Sequence, residues 1–343
     1  MCPGMPARLK LSRAQILAFR RHGGALDERL PAGDRSLRCA AWAGLTDSMP
    51  RAALLGLHAR VEGIAPNALD DPTLVQVWGP RYSVYVVAAG DLAIFTLGRL
   101  PDSGRTRARA LDLAARVHVV LEGSRSRDTD IAAALDVNGY ELKYAGLTGT
   151  IAIRWEGARA PIVWTVPPPA IAETEATREL ARRFLHVLGP SDSAAFASWA
   201  GISEGKAARA FAELEPELVP ARAPLGEARL LALDEAAARD PVATNTGVRL
   251  LPSGDAYTLG VTLAERAFLV PDEKQRNELW TSRVWPGALL VDGEIVGTWR
   301  RAKRVLTIDT WTRLSPAAKD AVAAEADTLP LPDPGEGMTV HWN

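Results

Sequence analysis

The densest basic run of the 343-residue sequence is Trp299-Arg300-Arg301-Ala302-Lys303-Arg304. Cations at that density suit phosphate, held by charge and counterion release, or they guard a solvated sheet edge against pairing with another chain. Arg51 and Arg81, each following a proline, are the next candidates for phosphate contact. Other chemistries lack a frame. His22, His118, His186 and His341 stand apart, with no His-Glu-x-x-His spacing, and are read as structural. Ser253 lies in Pro-Ser-Gly-Asp, without the flanking glycines of a nucleophile elbow. Neither a Gly-x-Gly-x-x-Gly nor a phosphate-loop string occurs, and Cys2 and Cys39 cannot build a four-thiolate zinc site or a disulfide framework. No metal or cofactor is expected. His58-Ala59-Arg60 sets two polar groups around an apolar one, but in a helical stretch, where an exposed polar face is the expectation.

The elements around these residues recur in one order. Ser12-Arg13-Ala14-Gln15 has the capping-box pattern and starts a first helix with Ile16, Leu17 and Phe19 on its buried side. A second helix is expected over 35–43. Pro50 suits the first position of a third, with Leu54, Leu55, Leu57 and Val61 on one face. Residues 74–78 and 82–87 are β-rich runs around Gly79-Pro80-Arg81. Helices followed by two strands are the order of a winged helix. The order returns with helices at 105–121, near 129–135 and near 140–146, then strands at 150–155 and 161–166. It returns again with helices at 174–188, 192–199 and 203–214, then strands near 217–221 and 229–233. Ala200-Gly201-Ile202 reads as the turn of a helix–turn–helix. Beyond about 244, Asp292-Gly293 marks a hairpin, with further strands at 305–308 and 339–340 and a helix over 315–327, as in a small, mostly antiparallel barrel or sheet. The expected fold is α+β, with units at 1–101, 102–169, 170–243 and 244–343. Trp78, Trp155 and Trp164 are expected in the core.

Composition narrows the class. Hydrophobic residues make up 47% and charged residues 24%, which suffices for packed cores. No stretch has the roughly 18 consecutive apolar residues of a spanning helix, and Met1 to Lys10 has no signal-peptide core, so a soluble cytoplasmic protein, monomeric and without a membrane partner, is expected. The net charge is −1, yet residues 1–60 carry ten Lys and Arg against four Asp and Glu, while residues 191–240 carry five against nine. That basic end can draw phosphate by long-range electrostatics, or it can serve solubility alone.

Gly44-Leu45-Thr46-Asp47-Ser48-Met49-Pro50-Arg51, Leu74 to Arg81, Leu250-Leu251-Pro252-Ser253-Gly254-Asp255, Pro286-Gly287 and Val291 to Arg300 together resemble the AlkZ/YcaQ-like winged-helix family. The likeness covers nearly the whole chain. It implies three tandem winged-helix units followed by a C-terminal antiparallel β-barrel that helps line a DNA-binding concavity, and kinship with bacterial glycosylases that remove alkylated purines, crosslinked ones included. It also implies an excision motif, Gln-apolar-Gln or a close variant, between Gly-Leu and Pro-Arg. That motif falls on Thr46-Asp47-Ser48, where neither glutamine is present. Two hydroxyls on shorter arms replace two amides, and in an extended segment Asp47 points away from both. The expectation is a protein that binds duplex, possibly alkylated, DNA with weak or no base excision. Two alternatives stay open: an active glycosylase using Asp47 with hydroxyl helpers, and a binding-only transcriptional regulator.

Overall fold

The computed structural model describes residues 9–157, 159–240, 247–259, 262–331 and 337–343. Cys2 lies outside them. Fourteen strands are described: β1 Leu9–Lys10, β2 Leu45–Thr46, β3 Leu74–Trp78, β4 Val84–Ala88, β5 Arg125–Arg127, β6 Ile151–Arg154, β7 Ile162–Thr165, β8 Leu218–Ala223, β9 Gly226–Leu231, β10 Val248–Leu251, β11 Gly287–Val291, β12 Glu294–Ala302, β13 Val305–Thr310 and β14 Thr339–Trp342. The fold is α+β.

Three helices followed by a hairpin occur three times. Helices Arg13–Gly23, Asp34–Ala40 and Ala52–His58 precede β3 and β4. Helices Gly104–Leu121, Asp128–Leu135 and Leu142–Ala145 precede β6 and β7, and helices Glu173–Leu188, Ser193–Ala200 and Glu204–Leu214 precede β8 and β9. Local chemistry sets several ends. The Ser12–Gln15 capping box forms in both directions, and Ser203 caps its helix by accepting from the Lys206 amide. Pro50 does not start its helix: Arg51 takes a left-handed conformation (φ 66°, ψ 15°), and the helix begins at Ala52.

The sheets cross the sequence blocks. One six-stranded sheet has the order β2-β4-β3-β6-β7-β5, and its two hairpins join through Gln76 opposite Ile153. β1 pairs in parallel with β8, Leu9 opposite Ala221, so the N-terminal strand completes the hairpin of the third block. A core of Phe184, Phe196, Trp199, Phe211 and Val77 packs the third block's helices against the six-stranded sheet.

The C-terminal strands form an open sheet, not a barrel. The order is β10-β11-β12-β13-β14, with edges β10 and β14 at opposite ends and the last pair parallel rather than antiparallel. Parallel neighbours need a crossover, which helix Pro316–Asp327 supplies. Its Val322 and Ala326, with Leu329 just beyond, pack against Leu250, Leu289, Leu306 and Ile308. The helix thus covers the face that closure would turn inward. The Asp292-Gly293 turn has positive φ at both residues, 48° and 83°, as a two-residue hairpin demands.

Candidate nucleic-acid interface

Leu45 and Thr46 pair with Val86 and Tyr85 of β4, and the Asp47 amide continues the ladder to the Val84 carbonyl at 2.8 Å. Gly44 (φ 74°) makes the approach possible, since a Cβ there would sit 2.8 Å from the Tyr85 ring. The segment is therefore extended, and its side chains alternate. Thr46 and Ser48 line a cavity of about 310 Å³. Asp47 lines a different one, of about 760 Å³.

Each of the three side chains has a distinct state. Thr46 is buried, and its hydroxyl donates to the Gly254 carbonyl at 2.5 Å. The Pro252–Gly254 loop that supplies this acceptor is fastened by Asp255, whose buried carboxylate takes both arms of Arg60 at 2.7 and 2.8 Å and the Tyr257 amide at 2.9 Å. Asp47 is also buried. Its Oδ1 accepts from the Ala53 amide at 3.0 Å and its Oδ2 from Gln76 Nε2 at 2.6 Å. Burial pushes its pKa up to about 7, against the pull of the Ala53 hydrogen bond, Arg154 and Gln76. Ser48 is exposed.

Cations enclose this segment on both sides. The Thr46–Ser48 cavity is bounded by Arg81, Arg266 and Arg283. Arg81 is aimed by a turn in which it and Tyr82 both have positive φ, 55° and 58°. The Arg266 guanidinium lies over the Trp280 and Trp285 rings, 5.3 and 5.1 Å from their centroids. The Asp47 cavity is bounded by Arg51, Arg154, Arg159 and Arg301. A third cavity of about 440 Å³ shares Trp285 and Ser253 with the first and Pro50 and Arg301 with the second, and adds Arg300. A fourth, of about 380 Å³, shares Arg154 and Arg159 with the second and adds Arg127. The cavities adjoin as one groove that wraps residues 46–51.

Arg154 is paired with Asp70 and Arg159 with Glu156. Among the described residues, Arg51, Arg81, Arg283, Arg300 and Arg301 have no carboxylate partner; Arg300 donates to the Val284 carbonyl and Arg301 to that of Lys303. Burial, and then repulsion from Arg51, lowers the pKa of Arg301. Lys303 and Arg304 form the turn between β12 and β13 and line none of these cavities.

Five of the groove's arginines carry no signal in the sequence, Arg159 of the β6–β7 turn among them. Arg127 lies on β5, a strand whose pairing with β7 is distant in sequence. Arg154 closes an apolar strand, and Arg266 and Arg283 belong to segments that reach the groove only through the fold. Other expectations change. Trp155 is half-buried and lines the Asp47 cavity, and Trp164 is half-buried with Arg125 over its ring at 4.6 Å; only Trp78 is fully in the core. His58 and Arg60 are buried, not an exposed polar face. Burial lowers the His58 pKa to about 4, and its Nε2 meets Thr328 Oγ1 at 2.9 Å, so both residues tie the helix Ala52–His58 to the C-terminal region. Among the described residues no group of three His, Cys, Asp or Glu is placed to hold a metal ion, and no helix is long and apolar enough to cross a membrane.

Residues 41–330, which include the motif segment and the β12 arginines, match the family model for AlkZ-like DNA glycosylases. The chain belongs to the AlkZ-like DNA glycosylase family. Among solved structures it is similar to the Streptomyces sahachiroi DNA glycosylase AlkZ, with a TM-score of 0.77 and 18% identity over 98% of this chain and 100% of that one. At that identity the likeness is one of fold. No curated protein matches the sequence. Membership of the AlkZ-like family relates the chain to DNA repair.

Proposed function

We propose that the protein binds duplex DNA, alkylated DNA included, along the arginine groove, and that it excises bases weakly or not at all. The three helix-then-hairpin blocks are read here as winged-helix units that carry the groove, with the basic strand β12 supplied by the C-terminal sheet. The observation that carries the reading is the state of Thr46-Asp47-Ser48 inside a ring of cations. Phosphate contacts need charge without carboxylate partners, and Arg51, Arg81, Arg283, Arg300 and Arg301 offer it. Excision needs groups that hold water at the anomeric carbon and stabilise an oxocarbenium-like sugar. Thr46 has given its one hydroxyl hydrogen to Gly254, and Asp47 faces the opposite cavity with both oxygens engaged. On the Thr46 side Ser48 alone is free to face a sugar, and a lone exposed hydroxyl supplies neither a base nor a second donor.

A labelled duplex carrying N7-alkylguanine tests this. The expected outcome is a retarded complex whose binding weakens steeply with salt and whose base stays attached. Base release well above spontaneous depurination overturns the excision half, and absence of binding at low salt overturns the DNA half.

A further inference from the structure

The cavity on the Asp47 side of the motif is more than twice the volume of the one that holds Thr46 and Ser48, about 760 against 310 Å³. Two features of it are unaccounted for by a smooth duplex lying in a groove. Arg51 and Arg301 face it from separate parts of the chain, with no carboxylate partner among the described residues and each raising the other's electrostatic energy. An anion between them would relieve that repulsion. The second feature is Trp155, a half-buried aromatic on the same wall. Its backbone is clamped by one side chain: Gln76 Oε1 accepts from the Trp155 amide at 2.5 Å, and Gln76 Nε2 reaches the Trp155 carbonyl at 3.3 Å. Asp47 in turn holds Gln76. An aromatic side chain on a clamped backbone, lining one cavity with two guanidiniums, is the composition that receives a base face and its phosphate in single-strand sites. Inside a duplex both faces of a base are covered by its neighbours, so such a ring is usable only by a nucleotide that has left the stack.

We propose that this cavity binds one nucleotide of an unpaired strand, with its phosphate between Arg51 and Arg301 and its base against Trp155. The inference rests on the DNA-binding reading and adds the substrate class: gapped or locally unpaired DNA in preference to intact duplex. Asp47 is then a positioning residue, which fixes Gln76 and through it the strand end that carries Trp155.

The test compares an intact labelled duplex with one of the same length carrying a short single-stranded gap, by fluorescence anisotropy at one salt concentration. The parent protein should bind the gapped duplex about tenfold more tightly, within the range that stacking of one base provides. Trp155→Ala should bring the ratio of the two affinities close to one, and Trp155→Phe should keep most of it. Arg51→Gln with Arg301→Gln should also lower the ratio, and serves where the tryptophan variant does not fold. Equal affinities in the parent, or a ratio that survives Trp155→Ala, overturns the proposal while leaving duplex binding intact. Failure to bind either DNA overturns the DNA-binding reading and the proposal with it.

Discussion

Asp47 Oδ2 lies 2.6 Å from Gln76 Nε2, and the other oxygen of that carboxyl holds the first turn of the helix Ala52–His58 through the Ala53 amide. The middle residue of the motif is therefore a joint between three elements: its own extended segment, a helix and, through Gln76, the end of β6. Both contacts are made by donors, so the site asks for two acceptors.

Asp47→Asn provides only one. Gln76 cannot turn its amide round to compensate without losing the Trp155 amide it accepts from. One donor is left facing an NH2 group, at a cost of roughly 1–3 kcal/mol. Urea unfolding should show the variant less stable than the parent near pH 5, where the parent carboxyl is protonated.

The pH dependence has a definite sign. The folded pKa of Asp47, about 7, exceeds its unfolded value, so between the two the folded protein holds a proton that the unfolded chain has released. Stability from this group is present at low pH and falls as pH rises through that interval, by roughly 4 kcal/mol in all. His58 runs the other way: its folded pKa, near 4, lies below the unfolded value, so stability is lost as pH falls through that window, by roughly 3 kcal/mol. The two slopes oppose each other in the parent. In Asp47→Asn only the His58 slope remains, and thermal stability should rise with pH from about 4 to 6.5 more steeply than in the parent. A histidine proton titration by NMR should find the His58 ring still neutral at pH 5; a His58 ring that titrates near the ordinary value would contradict the assignment.

What could be read beforehand was what neighbouring residues decide. The Ser12–Gln15 box, the Asp292-Gly293 turn and the opposite direction of Asp47 within Thr46-Asp47-Ser48 depend on periods of two to four residues, and each stands in the structure. The pairing of β1 with β8 and the joining of two hairpins at Gln76 and Ile153 are set by packing between segments far apart in sequence. The open C-terminal sheet follows from where one helix docks. Strand alternation alone sets Trp155 in the core, because it reports the inner face of a sheet but not that β6 ends one residue earlier, at Arg154.

The Arg60–Asp255 pair sets the loop over Thr46. Removing one partner leaves a buried charge without compensation, which typically costs about 3–5 kcal/mol. Asp255→Ala should lower the urea midpoint accordingly, and proteolysis should open the chain near Pro252–Gly254 sooner than in the parent. An unchanged midpoint would mean that the loop is held by other contacts.

The β12 arginines differ in their placement. Arg300 and Arg301 line the groove, whereas Lys303 and Arg304 occupy the turn beyond it. Replacing all four by alanine should weaken DNA binding uniformly across sequences, as phosphate contacts carry no base information. Arg300→Ala with Arg301→Ala should account for most of the loss and reduce the salt slope by about one per phosphate contact removed. Equal losses from the turn pair would move the DNA path outward from the groove.

Restoring the two family amides at once, Thr46→Gln with Ser48→Gln, separates a missing functional group from an altered pocket. Ser48 is exposed and admits the longer side chain. Thr46 does not: its hydroxyl sits 2.5 Å from the Gly254 carbonyl, and a Cβ on Gly254 would already be in contact with it at 3.5 Å. Glutamine there must displace the Pro252–Gly254 loop, which Arg60 and Asp255 hold down, so the double variant should lose about 1–3 kcal/mol of stability and gain no base release on an N7-alkylguanine duplex. Ser48→Gln alone should fold normally and also release no base, because one donor without a second group to hold water does not assemble the chemistry. The comparison that would reverse this view is made in the parent: strong base release that Asp47→Asn abolishes would show the carboxyl at work, and would require Asp47 to give up Ala53 or Gln76 when DNA is bound.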